Sequence, residues 1–546
     1  MAKVWKIKSK SQEDIIDQIL SNRGIKTEAE KEEFFNPKLE NYSKDLQIPG
    51  IARSLTRIKK AIELGETIVI FGDYDVDGVC ASAILYKALT SIGAKVMPYI
   101  PHREREGYGL SNPGLDFARD TGASLVITVD NGIVAHSAAD YAKSLGLDLI
   151  ITDHHTASDK KPEAFSIVHS IKMCGASVAW CLIKDVVKPE LAQELLQFAA
   201  IATIADMMPL LGVNRAIVTE GLKQLNRTKN LGLTTLINEI RIERGAIKSY
   251  EIGHIIAPRI NAIGRLEHAI DALRLLCTKD PVKARRLSKL LNDTNSRRQD
   301  LTSRAYDEAV KMAQKNIDKK IQILHSKDWH PGIIGLIAAR ITETYYQPGI
   351  AISVGEKISK GSARSIKGLN ITKALRSVSE YLIDVGGHAG AAGFSVETSK
   401  LEIFKQKLEA AIVEMKTEDI LEEYLDIEAE VPVSGVTKTL AKKIEDLEPF
   451  GLENPRPLFA TNNLKITDIR TVGAGKHLKF KVANPGLGSG THTIDAIAFN
   501  MGELQDFLTS SQIVNLAYHL ELNKFNGNET LQFKVKDIQL TAAEIN

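Results

Sequence analysis

Three short apolar runs in this chain each stop at side chains that bind cations. Thr67-Ile-Val-Ile-Phe71 leads into Gly72-Asp-Tyr-Asp-Val-Asp-Gly78. Ser124-Leu-Val-Ile-Thr-Val129 leads into Asp130-Asn-Gly132, and Leu147-Asp-Leu-Ile-Ile-Thr152 into Asp153-His-His155. Runs this short, apolar and β-branched read as strands buried on both faces. Helix-like stretches at residues 81–89 and 135–145 separate them. Alternating strands and helices at this spacing imply an α/β fold built on a parallel sheet with both faces covered. Strand C-termini in such a sheet share one edge, where open α/β folds bind ligands. A fourth apolar stretch, residues 197–205, suits helix or strand and ends in Asp206. Asp73, Asp75, Asp77, Asp130, Asp153, His154, His155 and Asp206 are therefore expected to converge.

Taken singly, an Asp after a strand is a turn former or a helix cap. Four such motifs together resist that explanation. Clustered carboxylates repel unless some are protonated or cations neutralise them. Asp with His suits Mn²⁺ or Mg²⁺. Two such ions, roughly 3.5–4 Å apart, can activate water and stabilise both oxygens in phosphodiester hydrolysis.

The 546 residues exceed one ordinary core and imply several domains. Residues 1–45 read as a helical lead-in, 46–225 as the acid-bearing α/β domain and 226–318 as a helical connector. Residues 319–428 begin a second α/β pattern, with a glycine-rich loop at Gly386-Gly-His-Ala-Gly-Ala-Ala-Gly393. In 429–546, runs at 465–469, 478–482, 494–499, 513–522 and 531–535 suit a small oligonucleotide-binding-type barrel. Its Phe480, Phe499, Tyr518 and Phe525 are candidates for base stacking, with core packing as the alternative. The net charge of only +2 restricts any nucleic-acid surface to local patches. None of the four cysteines forms a Cys-x-x-Cys pair, which argues against a zinc ribbon. With no signal-like N-terminus and no span-length apolar run, the expectation is a cytoplasmic protein without a membrane partner.

The four acidic motifs, the last being Ala202-Thr-Ile-Ala-Asp206, resemble those of the Asp-His-His phosphoesterase superfamily. Gly386–Gly393 resembles the hallmark of its companion domain. Ala257-Pro-Arg-Ile-Asn-Ala-Ile-Gly-Arg265, Trp329-His-Pro-Gly332 and Pro449-Phe-Gly-Leu-Glu-Asn-Pro455 are similar to the RecJ branch. The resemblance implies metal ligands at Asp75, Asp77, Asp130, His154 and Asp206, and His155 near the scissile phosphate, where it is a candidate ligand and, with Asp130, a catalytic residue. Smaller superfamily members carry His where Phe71 stands, so Asp73 is a substitute candidate. The branch implies a 5′-to-3′ exonuclease on single-stranded DNA in recombination and repair. A single-strand-binding protein or a RecQ-type helicase is the partner it implies.

For the substrate, Gly387 and His388 are expected to let a phosphate approach closely. Arg364, between Ser362 and Ser365, is expected to act as a bidentate phosphate clamp. Arg259, Arg265, Arg297, Arg298 and Arg304 are candidates for a basic channel, whereas the charges at 283–289 read as a solvated helix face. Two other functions fit part of the pattern. One is hydrolysis of short oligonucleotides, cyclic dinucleotides or pyrophosphate, for which a C-terminal barrel has little use. The other is a non-catalytic DNA-binding scaffold, which would not need every motif acid.

Overall fold

A computed structural model describes residues 3–8, 14–103, 105–415, 423–483, 493–508, 513–525 and 528–540. The first sheet has five strands, all parallel, in the spatial order Lys95–Tyr99, Thr67–Phe71, Ala123–Val129, Asp148–Asp153, Ser166–His169. The apolar runs form its centre because both faces need apolar side chains. Ile68, Ile70, Leu125, Ile127, Val129 and Ile150 face the large core with helices Val76–Ser91, Gly175–Ile183 and Pro189–Ala205. Val69, Phe71, Val126, Leu149 and Ile151 face a smaller core with helices Asn112–Asp120 and His136–Ser144. Phe71 is thus spoken for. Its ring packs with Tyr99 and against Gly114, on the opposite face from the acids.

The stretch before Asp206 is the C-terminal part of helix Pro189–Ala205. Asp206 therefore arrives from a helix end and not from a strand. Helix Pro281–Gln314, 34 residues and about 50 Å long, joins the two α/β units. Lys283, Arg285, Arg286 and Lys289 lie on its exposed face.

The second sheet runs Asp384–His388, Ala391–Glu397, Ile358–Arg364, Gly349–Ser353, Gln322–Ser326, antiparallel except for the last pair. The glycine-rich segment is two strands joined by a tight turn, where a loop was expected. Its small residues pair across the sheet, so they read as a loop by composition and a hairpin by register.

The C-terminal strands close into a barrel. Phe459–Val472, His477–Ala483, Ile494–Ala498, Asn528–Leu540 and Ile513–Phe525 are neighbours in that order, and the last pairs with the first. The pairing of Ile494–Ala498 with Asn528–Leu540 is parallel, and the others in the ring are antiparallel. Phe480 and Tyr518 are fully buried, with Tyr518 stacked on Phe533 at 3.6 Å, so they are core and not stacking surfaces. Phe499 stays 44% exposed. The Phe525 side chain lies outside the described residues.

The N-terminal region departs from a purely helical lead-in. Val4–Ile7 is a strand that pairs in parallel with Tyr424–Ile427, and Trp5 Nε1 donates to Asp537 at 2.7 Å. Ile16, Ile19, Leu20 and Phe34 pack into the barrel core. A segment of weak periodicity is thus fixed by partners more than 400 residues away.

Candidate metal centre

Each acid is placed by its own local device. Asp75 caps helix Val76–Ser91, its carboxylate accepting from Gly78 N at 3.0 Å. Gly78 is required there, because a Cβ would sit 2.6 Å from the Asp73 backbone. The Asp77 carboxylate accepts from Gly175 N and Ala176 N, both at 2.6 Å, and so closes the N-terminus of helix Gly175–Ile183. Asp130 follows its strand in a left-handed conformation at φ 63°, unusual for a residue with a Cβ. Asn131, fully buried, holds that turn by donating to the carbonyls of Val129 and Phe71. Asp206 is the C-cap of its helix, at the negative pole of the dipole, which disfavours a carboxylate by about 0.3–1 kcal/mol and favours a nearby cation.

The placed groups meet. His154 Nε2 lies 3.1 Å from Asp130 Oδ1, 3.6 Å from Asp77 Oδ2 and 3.7 Å from Asp206 Oδ2. Donor atoms of Asp77, His154 and Asp206 fall within 4.8 Å of one another, and so do those of Asp73, Asp75 and Asp130. Asp130 also groups with His154 and His155. Asp130 belongs to two of these three groups, and His154 links the third to them.

Burial, then the neighbouring carboxylates, pushes Asp73 and Asp130 well above the usual carboxylate range. The same causes raise Asp75, and raise Asp206 to about 8. Burial lowers His154, which favours the neutral imidazole a metal needs. Asp73 Oδ1 and Asp130 Oδ1 are buried without hydrogen-bond partners. A cation taking those lone pairs would offset the cost. An octahedral ion with bonds of about 2.1 Å holds adjacent donors about 3 Å apart. The 3.1 Å spacing of His154 Nε2 and Asp130 Oδ1 fits it, so the residues suit divalent cations.

Asp153 takes a different part. Its Oδ1 accepts from His154 N and His155 N and lies 2.8 Å from His155 Nδ1, while Oδ2 accepts from Ile133 N. Burial pushes Asp153 up, but these bonds bring it below the usual range. Burial opposes protonation of His155, but the Asp153 bond together with the charges of Asp153, Asp206 and Asp77 outweighs it, so the net shift is upward. Asp153 is an orienting group for His155. Tyr108 adds a hydroxyl 3.1 Å from His155 Nε2 and 3.2 Å from the Asp130 carbonyl. Its place in a loop gave no sequence signal, and nor did that of Gly175, where a Cβ would fall 2.6 Å from Asp130 Cβ.

The helical connector seats directly on the acids. Val76 N donates to Asn261 Oδ1 at 3.1 Å, and Gly264 packs its Cα against the Tyr74 carbonyl. Arg265 Nη1 donates to Gly332 O at 3.1 Å, joining the connector to the second α/β unit. Burial, then Arg103, Arg298 and Arg364, pushes Arg265 down to about 10. Arg364 and Arg259 are also lowered by burial. Crowded guanidinium groups thus concentrate positive charge beside Asp75. Arg259 donates to Asn292 and to Ile255 O, so half its fork is structural. Arg297 and Arg304 are exposed, and Arg297 pairs with Glu267 at 3.3 Å, so neither lines an enclosed channel.

Strand register places the residues expected to meet phosphate. Arg364, Ala391 and His388 form one row across the second sheet; Ser362, Gly393 and Gly386 form another on the same face. The glycines leave that face bare between Ser362, Arg364 and His388. Gly387 falls in the alternate row, with φ 142° and its Cα against Ala391 O. Ser365 is a correction to the expected pair of flanking hydroxyls. One residue beyond Arg364 it points the other way, and its Oγ donates to Leu369 O at 2.7 Å.

Comparisons with known proteins agree with this layout. Family models match residues 67–203 (DHH family, N-terminal domain), 316–414 (DHHA1 domain) and 427–537 (RecJ OB domain). The chain is 33% identical over 536 residues to the single-stranded-DNA-specific exonuclease RecJ of Bacillus subtilis, covering 96% of this chain and 67% of that one. Against the Escherichia coli RecJ the identity is 30%, covering 96% of this chain and 95% of the relative. The crystal structure of Thermus thermophilus RecJ in complex with Mn²⁺ superposes with a TM-score of 0.82 at 29% identity, covering 96% of this chain and 76% of that one.

Proposed function

Because the chain belongs to the RecJ family, we propose that it is a metal-dependent exonuclease that degrades single-stranded DNA from the 5′ end, in recombination and repair. The observation that carries this is the set of three donor groups, linked through Asp130 and His154, at the carboxyl edge of a parallel sheet. Asp73, Asp75, Asp77, Asp130, His154 and Asp206 would hold two Mn²⁺ or Mg²⁺ ions. When bound, the ions supply a nucleophilic water and neutralise charge on the phosphate.

The chain's own groups do the rest. His155, fixed by Asp153, presents its ring above Asp130 and donates to a nonbridging phosphate oxygen. Tyr108 limits how far that ring can turn. Arg265 and Arg364 hold the 5′-terminal phosphate beside Asp75, and Ser362 and His388 extend that site along the bare sheet face. The 5′ end is thus fixed on one side of the scissile bond, which gives the direction of cutting.

No described helix is long and apolar enough to cross a membrane. A cytoplasmic location is part of this reading and suits the four free thiols. A single-strand-binding protein and a RecQ-type helicase are proposed partners, because they would supply the single strand. The test is release of mononucleotides with Mn²⁺ or Mg²⁺ from single-stranded DNA, single-stranded RNA and duplex. Selective degradation of single-stranded DNA supports the reading. Hydrolysis of dinucleotides, tested beside them, without degradation of the longer strands favours the oligonucleotidase alternative.

A further inference from the structure

The segment Pro449-Phe-Gly-Leu-Glu-Asn-Pro455 forms a socket that grips the acid-bearing α/β domain at Leu210 and Arg215. Leu447 and Phe450 of this turn pack with the barrel core. Arg215, 2% exposed, lies in the first turn of helix Gly212–Asn226. Its Nε donates to Phe34 O at 2.7 Å and its Nη1 to Pro449 O at 3.3 Å. Its Nη2 donates to Leu447 O at 3.3 Å and Glu448 O at 2.7 Å. The Phe34 ring covers the guanidinium at 3.7 Å. Asn454, fully buried, turns the same carbonyls inward by donating to Leu447 O at 2.9 Å and Pro449 O at 2.8 Å. Burial, then the charge of Arg23, pushes Arg215 down to about 10. Among the described residues no carboxylate pairs with it. A buried cation held by carbonyls alone is a costly way to pack two domains. What its planar fork adds over apolar packing is direction, because it fixes four carbonyls at once.

The gripped segment leads directly to the acids. Leu210 N donates to Leu452 O at 2.8 Å, and a Cβ at Gly451 would lie 2.6 Å from Leu210 Cδ1. Asp206 stands four residues before Leu210. The chain between them is tight: Met207 is left-handed at φ 56°, and Met208 N donates to Thr203 O at 3.0 Å. A shift of Leu210 therefore has little slack in which to dissipate before Asp206. Asn214, beside Arg215 and 3% exposed, makes a second link by donating to Lys172 O at 2.9 Å. Three residues on, Gly175 N donates to the Asp77 carboxylate at 2.6 Å. The start of one helix is thus tied on one side to the barrel's turn and on the other to the supports of two acids.

We propose that Arg215 is a positioning residue for the metal centre: by clamping the turn at 447–455 it holds Asp206 and the Gly175 turn in place, so that the seating of the barrel sets the affinity for divalent cations. The proposal rests on the metal-centre reading of the acids. It adds that the barrel acts on the ions without supplying a donor to them.

The test is a Mn²⁺ titration of the full chain, followed by the paramagnetic resonance of the free ion, which reads both the affinity and the number of ions bound. The wild type, Arg215→Met and Gly451→Ala are compared. Each variant is expected to bind Mn²⁺ about two- to thirtyfold more weakly with the number of ions unchanged. Saturating Mn²⁺ is expected to restore the nuclease rate of both. Unchanged affinity in Arg215→Met overturns the proposal. Fewer ions at unchanged affinity, or a rate that stays low at saturating Mn²⁺, also overturns it, because either marks a merely structural role. Gly451→Ala alters the socket from the barrel side and removes no buried charge, so it decides the question where Arg215→Met does not fold. A wild type that binds no Mn²⁺ overturns the metal-centre reading instead.

Discussion

Replacing Asp130 by Asn separates what this carboxylate costs the fold from what it gives the metal site. Asp130 is 2% exposed, its Oδ1 lacks a hydrogen-bond partner, and Asp73, Asp75 and Asp77 surround it. Burial, then those neighbours, pushes its carboxyl well above the usual range. A carboxyl raised in the folded state binds its proton more tightly there than in the unfolded chain. Metal-free stability therefore falls as pH climbs above the usual carboxylate value, and for Asp206 that window closes near 8. An amide carries no charge and can donate to His154 Nε2, 3.1 Å from the present oxygen. Relief of a buried, unpaired charged acceptor is worth about 1–3 kcal/mol. At about 2–4 °C per kcal/mol, Asp130→Asn should melt about 2–12 °C higher than the wild type in EDTA at pH 8. In Mn²⁺ at a hundred times Kd, the wild type gains about 2.7 kcal/mol by mass action. The variant lacks the shared donor and should gain much less, so the order of the two melting temperatures narrows or reverses. Scanning calorimetry in EDTA and in Mn²⁺, beside nuclease rates, reads both effects. A variant less stable than the wild type in EDTA, or stabilised equally by Mn²⁺, refutes the reasoning.

Arg364→Ala should lose most of the preference for 5′-phosphorylated over 5′-hydroxyl DNA, by about ten- to a hundredfold, because a charge-assisted bidentate contact is worth about 1.5–3 kcal/mol; kinetics on the matched substrates check it. Gly175→Ala places a Cβ 2.6 Å from Asp130 Cβ and 2.7 Å from Oδ1. It should weaken Mn²⁺ binding and activity by more than about tenfold while circular dichroism stays near that of the wild type. His519 is held at about 4 by burial, so the unfolded chain takes up its proton first as pH falls. Barrel stability should drop by at most about 3 kcal/mol between pH 6.5 and 4, and His519→Gln should flatten that slope in denaturant titrations.

The sheet edge was legible because a parallel strand needs a continuous apolar run, and the run's end locates the edge. Asp73, Asp75, Asp77, Asp130 and His154 were readable in this way. Asp206 was found for a partly wrong reason, since a buried helix and a buried strand have the same composition over nine residues. Asp153 carries the same strand-end signal as Asp130, and only hydrogen bonds separate an orienting group from a donor. Ser365 lies one residue past the end of strand Ile358–Arg364 and donates to Leu369 O, a partner that adjacency to Arg364 in sequence does not reveal. The N-terminal strand was invisible because its partner lies near residue 425. In the barrel, Phe480 and Phe499 have the same side chain. Their burial differs because Phe480 points into the barrel core, whereas Phe499 follows the end of strand Ile494–Ala498.

The most direct test of the acid cluster as a two-ion centre is anomalous scattering at the manganese edge from crystals soaked in Mn²⁺. The account predicts two peaks roughly 3.5–4 Å apart, with Asp130 bridging them, His154 and Asp206 on one ion and Asp75 on the other. Peaks that leave Asp130 untouched, or no ion among these residues at saturating Mn²⁺, would contradict it.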